Sequence, residues 1–222
     1  MANVVKILSG TNFKLVPKIV KNLFFVFLIF YYNNLKCQPS DILFNVYRND
    51  VKIGYHKVTF DKSGNELLAS IDINFVVKFL GFTVYDYKHI NKERWKDNKL
   101  ISIDASTNKN GEELFCKIDE LKKITIPSSY WNNILISNEN VSELRNTQDC
   151  TSIQVEITKL GKEYIYNKSL IANRYKITGK ESKGEIVDID IWYNSNNEWV
   201  KMVFIKDNSK INYILNEFDK QR

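Results

Sequence analysis

The sequence predicts an all-β fold, a curved antiparallel meander sheet forming a half-barrel or open barrel, with one crossing loop or short helix. Two observations lead there. Apolar residues recur at period two: Ile71, Ile73, Phe75, Val77 and Phe79 alternate with Asp72, Asn74 and Lys78, and Val187, Ile189, Ile191 and Tyr193 alternate with Asp188 and Asp190. Turn-forming residues then separate the apolar runs at hairpin spacing. A long flat meander would leave two open edges and an uncovered face, and curling into an open or nearly closed barrel relieves both.

Taken in order, strands over 42–48 and 54–61 flank Asn49-Asp50, and Ser63-Gly64-Asn65 leads into a strand over 66–79. A strand over 82–95 ends at Asp97-Asn98, and strands over 100–107 and 112–126 flank Asn110-Gly111. Further strands fall at 153–159, 163–166, 170–179 and 185–193. After the asparagine-rich turn at 194–197, the last two, 198–206 and 210–217, flank Asp207-Asn208. The segment 127–149 lacks alternation and is expected to cross one end or face of the sheet as a loop or short helix. No repeat, linker or composition shift marks a second domain, so 38–222 is read as one β domain.

Residues 1–37 have the composition of a leader. Lys6, Lys14, Lys18, Lys21 and Lys36 stand there without any Asp or Glu, and the apolar run 23–32 follows the first four. About ten residues suits a signal-peptide core, whereas a spanning helix needs about twenty. The expectation is an exported protein, periplasmic or extracellular, with a cleaved leader. A retained N-terminal anchor is the alternative, and a lipoprotein at Cys37 is a third reading that Lys36 disfavours. Membrane contact is expected only through an uncleaved leader.

The leader also accounts for the charge. Of the net +6, five positive charges lie in 1–37, leaving 27 basic against 26 acidic groups in the rest. A domain at +1 with interspersed signs has no footprint for nucleic acid. Once the leader is removed at Cys37, Cys116 and Cys150 remain as an even pair. They are candidates for a disulfide in an oxidising compartment, with two separate buried thiols as the alternative. Two histidines and no C-x-x-C spacing predict no metal site and no cofactor.

On the strand beginning at Phe82, the residues Tyr85, Tyr87, His89, Asn91, Glu93 and Trp95 share one face. If that face is concave, it lines an aromatic cavity with polar handles. Tyr85, Tyr87, His89, Trp95, Tyr130 and Trp131 are the candidate ligand-binding residues. The plainer alternative is ordinary core filling, with Trp131 plugging the sheet. No catalytic residues are expected. His89 and Glu93 stand roughly 13 Å apart along a strand and do not pair, while Ser128 and Ser129 lie in no nucleophile elbow.

Several segments together resemble an uncharacterised family of exported bacterial proteins, the domain of unknown function 6134. They are Phe44-Asn45-Val46-Tyr47-Arg48-Asn49-Asp50, Ile53-Gly54-Tyr55-His56, Phe79-Leu80-Gly81-Phe82-Thr83-Val84-Tyr85, Glu93-Arg94-Trp95, Pro127-Ser128-Ser129-Tyr130-Trp131-Asn132, and Ile191-Trp192-Tyr193 before Trp199-Val200. The resemblance covers about 43–215. It implies an extracytoplasmic all-β protein without an assigned reaction, broadly similar in fold to curved-sheet carriers of lipid or acyl chains. The expected function is non-enzymatic binding of a hydrophobic ligand, a lipid or acyl chain, on the concave face. The alternative is a structural or interaction module with a filled core and an envelope protein partner.

Overall fold

The computed structural model describes residues 39–121, 125–138 and 140–221. The readings of the leader and of Cys37 lie outside them. Twelve antiparallel strands form one open sheet in the order β6-β5-β4-β3-β2-β1-β12-β11-β10-β9-β8-β7. They are β1 (Ile42–Arg48), β2 (Val51–Ser63), β3 (Glu66–Phe79), β4 (Phe82–Lys96), β5 (Lys99–Lys109), β6 (Glu112–Ile118), β7 (Glu143–Arg145), β8 (Ser152–Ile165), β9 (Leu170–Glu181), β10 (Ile186–Tyr193), β11 (Trp199–Lys206) and β12 (Ser209–Leu215). One helical turn, α1 (Ile134–Ser137), precedes β7, and a 3-10 segment, Asn216–Gln221, follows β12.

The predicted turns are where the chain reverses. Both residues of Asn49-Asp50, Asp97-Asn98, Asn110-Gly111 and Asp207-Asn208 have positive φ, the conformation whose twist matches a two-residue hairpin. Leu80-Gly81 makes the same turn, with Leu80 at φ +50, where a branched apolar side chain is uncommon.

Two long-distance contacts show how far the sheet rolls. Seven strand spacings separate β5 from β10, roughly 34 Å in a flat sheet. Yet Lys109 at the end of β5 lies 4.0 Å from Glu185, just before β10. The two outermost strands, β6 and β7, would stand roughly 50 Å apart. Instead a disulfide joins Cys116 of β6 to Cys150, five residues beyond β7, with their Cα atoms 4.8 Å apart. Register shifts in the β1–β2, β3–β4, β4–β5, β8–β9 and β10–β11 pairs supply local bends.

The main core lies inside the roll, where Phe44, Val46, Val58, Ile71, Ile177 and Ile191 are nearly or fully buried. A smaller cluster of Ile165, Ala172, Trp192 and Val200 forms separately, with Arg174 and Lys201 over the Trp192 ring. The 3-10 segment is pinned to β1 through Asp219, which accepts hydrogen bonds from Asn45 Nδ2 (2.8 Å) and Tyr47 Oη (2.6 Å).

Three strand boundaries and the facing of one residue require correction. Residues 153–159 and 163–166 belong to one strand, β8, bent by the irregularity between Lys159 and Gly161. Gly161, at φ +115, lets the chain turn without leaving the sheet. Strand β6 ends at Ile118 rather than at 126: its pairing with β5 stops at Ile103–Ile118, although β5 itself continues to Lys99. The crossing contains a strand, β7, that alternation over three residues cannot reveal. Phe79, expected on the inner face, is 66% exposed, since the β3–β4 hairpin runs past its neighbours and meets no opposing wall.

Candidate functional site

The inner face of β4 is built as the alternation required. Tyr87, His89, Asn91, Glu93 and Trp95 are buried, Tyr85 is half-buried, and the intervening side chains are mostly exposed. From Tyr85 to Trp95 this one strand passes through two environments. Tyr85, Tyr87, His89 and Asn91 line a cavity of about 430 Å³ inside the roll, and Tyr130 from the crossing joins them. That volume falls within the range of small-molecule sites.

The aromatic walls come from strands on both sides. Phe75 of β3 stacks on Tyr87 at 5.5 Å and meets the Tyr213 ring of β12 edge-on at 6.2 Å. Tyr85 and Tyr87 stack at 6.5 Å, and Phe204 of β11 lies 6.2 Å from Tyr213. Burial raises the pKa of the Tyr85, Tyr87 and Tyr213 phenols, so all three are neutral at ordinary pH.

The polar groups sit deeper. His89 is 3% exposed and held at both nitrogens, with Nδ1 2.7 Å from Thr107 Oγ1 and Nε2 3.4 Å from Thr147 Oγ1. Desolvation holds it neutral, with a pKa of about 4. His56 of β2 shares a register row with it, opposite Ile73, which itself lies opposite His89. His56 is also 3% exposed, and its edge contacts are the rings of Phe44, Trp199 and Tyr213. Neither of its ring nitrogens has a hydrogen-bond partner among the described residues. Desolvation first, and the neighbouring His89 second, lower its pKa to about 3. Asn91 gives its amide to Glu93 at 2.9 Å, while its Oδ1 is unpartnered.

Trp95 and Trp131, expected in the same pocket, belong elsewhere. Both indoles donate to the fully buried Glu93 carboxylate, at 3.2 Å and 2.9 Å. Trp131 faces a second, wider groove of about 910 Å³ at the other end of the roll, beside Phe60, Leu67 and Trp199. The reason is Glu93: a carboxylate buried without a cation needs several donors, and these two indoles supply them together with Asn91. Desolvation raises the Glu93 pKa, and the hydrogen bonds partly oppose it. The alternation placed Glu93 correctly but was silent on its partners.

Tyr130 is fixed unusually. Its backbone lies at φ +63, a strained conformation for a bulky residue, and its carbonyl accepts a 2.8 Å hydrogen bond from Tyr193 Oη of β10. The loop 146–149 forms part of the cavity wall, and the Cys116–Cys150 disulfide ties the residue that follows it to β6. His56, Phe75, Phe204 and Tyr213 were missed as site residues. His56 had a signal, because it alternates in β2 with the buried Val58 and Phe60.

Among the described residues no group of three or more His, Cys, Asp or Glu is arranged to hold a metal, and no helix is long and apolar enough to cross a membrane. No curated protein matches the sequence. A solved structure, that of a beta-barrel-like protein of domain of unknown function 1849 from Brucella abortus, is similar at a TM-score of 0.43 and 11% identity, covering 79% of this chain and 94% of that one. The family described as domain of unknown function (DUF6134) matches residues 44–216, most of the chain, and the protein belongs to that family.

Proposed function

We propose that the protein is an exported envelope component that binds a hydrophobic ligand, a lipid or acyl chain, inside the rolled sheet, without catalysis. The observation that carries this reading is the cavity itself: about 430 Å³ walled by Phe75, Tyr85, Tyr87, Phe204 and Tyr213. Protein interiors are otherwise packed with few voids larger than a water molecule, so a space of this size among bulky rings suits a ligand. The disulfide and the basic, acid-free leader support export. The histidines support binding over acid–base chemistry, since burial holds both neutral and His89 is already engaged at both nitrogens.

Native mass spectrometry and solvent extraction of protein purified from its own envelope test the reading. A co-purifying hydrophobe at about one per chain is the expected result. A ligand-free protein that also fails to take up an added acyl chain rejects it.

A second reading, an interaction module with an envelope protein partner, is supported by the β3–β4 hairpin tip. Phe79, Leu80 and Phe82 are 66%, 81% and 75% exposed there, an apolar patch of the kind that marks contact surfaces. Crosslinking from this tip to one envelope protein, with no hydrophobe bound, would favour it.

A further inference from the structure

We infer that the floor of the cavity takes an uncharged polar head that both donates and accepts a hydrogen bond, an alcohol or amide, so that the ligand enters head first with its apolar tail between the aromatic walls. The inference rests on the hydrophobic-ligand reading above and adds the chemistry of the ligand's polar end.

Besides the Ser129 hydroxyl on the crossing, two buried side chains from the strands have hydrogen-bonding capacity that no described residue uses. His56 offers both ring nitrogens, and Asn91, fully buried, offers Oδ1. Both line the cavity. A neutral imidazole presents one donor and one acceptor, and an amide oxygen only accepts. A hydroxyl or an N–H-bearing amide satisfies this set, whereas a carboxylate, which only accepts, leaves the Asn91 oxygen facing another oxygen. Buried polar atoms without partners are costly, so the floor gains from a ligand that completes them.

Charge points the same way. The only lysines or arginines on the cavity wall are Lys109, Lys183 and Lys206, against five carboxylates. Each of the three is ion-paired: Lys109 and Lys206 with Glu185 at 4.0 and 2.9 Å, and Lys183 with Asp149 at 3.2 Å. None is on the floor strands β2 or β4. An anionic head therefore finds no cation to compensate its desolvation. A cationic head meets the His56 ring wedged among aromatic neighbours and no carboxylate oxygen left free by Glu93, whose two oxygens receive Asn91 and the two indoles.

The test uses the full chain, delipidated, and isothermal titration with 1-decanol, decanoate and decyltrimethylammonium as probes. The expected result is 1-decanol binding at least about tenfold more tightly than either ion, the effect of one or two neutral hydrogen bonds. His56→Phe is expected to lower 1-decanol affinity about tenfold without lowering the thermal midpoint, because a phenyl ring suits the Phe44–Trp199–Tyr213 setting. In the unmutated protein, the His56 imidazole ¹⁵N resonances are expected to shift with 1-decanol. Decanoate binding as tightly as 1-decanol, or His56 resonances unmoved by bound 1-decanol, overturns the head-group inference and leaves the cavity reading standing. Failure of all three probes to bind overturns both.

Discussion

The indole of Trp131 donates a 2.9 Å hydrogen bond to Glu93 Oε2, across 38 residues of sequence, and so ties the crossing segment to the middle of the sheet. Trp95 donates to the same oxygen and Asn91 to the other. Glu93→Gln is expected to change stability by less than about 1 kcal/mol. Its oxygen keeps both indoles, and Asn91 flips to accept from the new amide with the Oδ1 that is otherwise unpartnered. Glu93→Ala leaves three buried donors unsatisfied and is expected to cost about 3–5 kcal/mol. Urea denaturation of the two variants distinguishes them; equal losses would show that the network does not hold the crossing.

Stability is expected to fall as pH drops from 6.5 toward 4. His56 and His89 titrate near 3 and 4 in the folded chain, against about 6.5 unfolded. In that window the unfolded chain takes up protons that the folded one refuses. Stabilisation is therefore complete above pH 6.5 and lost on acidification, at up to about 1.4 kcal/mol per pH unit for each histidine. Glu93, with a raised pKa, works in the opposite direction. His56→Phe should weaken the acid dependence by roughly half, as read from thermal midpoints between pH 7 and 4.5.

Breaking the Cys116–Cys150 disulfide, which links positions 34 residues apart, is expected to cost about 3–4 kcal/mol by the chain-entropy estimate. The Cys150→Ser variant should also speed amide hydrogen exchange in 146–151, the loop that positions Thr147 against His89. Uniform exchange acceleration across the sheet, without preference for this loop, would contradict the assigned role.

Gly179→Ala is expected to destabilise the β8–β9 pair. A Cβ there would lie 2.0 Å from the Gln154 backbone oxygen, so the ladder itself must shift. The cost is expected to reach about 1–3 kcal/mol. Gly64→Ala, with open space but φ +61, serves as the comparison in which only backbone strain acts.

Leu80→Asn is expected to stabilise by about 0.5–1 kcal/mol. The side chain is exposed and its φ of +50 favours Asn before Gly in a two-residue hairpin. Chemical denaturation measures the gain; a loss would mean that Leu80 packs against something in the folded chain.

Strand identity was legible because a half-buried strand writes its two faces into alternate residues. Thus 85, 87, 89, 91, 93 and 95 were read together on one face, and the hairpin turns were read from Asn, Asp and Gly. The same signal failed for β7, which has three residues, and for Phe79, where alternation continues past the end of the opposing wall. It merged Trp95 with Tyr85 because period two reports the face of a residue and not its position along the roll.

By itself the sequence determined the all-β class, the hairpin succession of most strands, the inner face of β4 and the even cysteine pair in the domain, because each depends on near neighbours or on counting; the pairing of β1 with β12, which leaves β6 and β7 at the edges, does not. Tertiary structure alone decided which residues share a space. The roll brings strands seven apart into contact, sets His56 among rings from β1, β11 and β12, joins Cys116 to Cys150, and directs Trp131 to Glu93 instead of into the cavity. Those partners are distant in sequence, and only the curvature of the sheet, summed over many strands and bends, makes them neighbours.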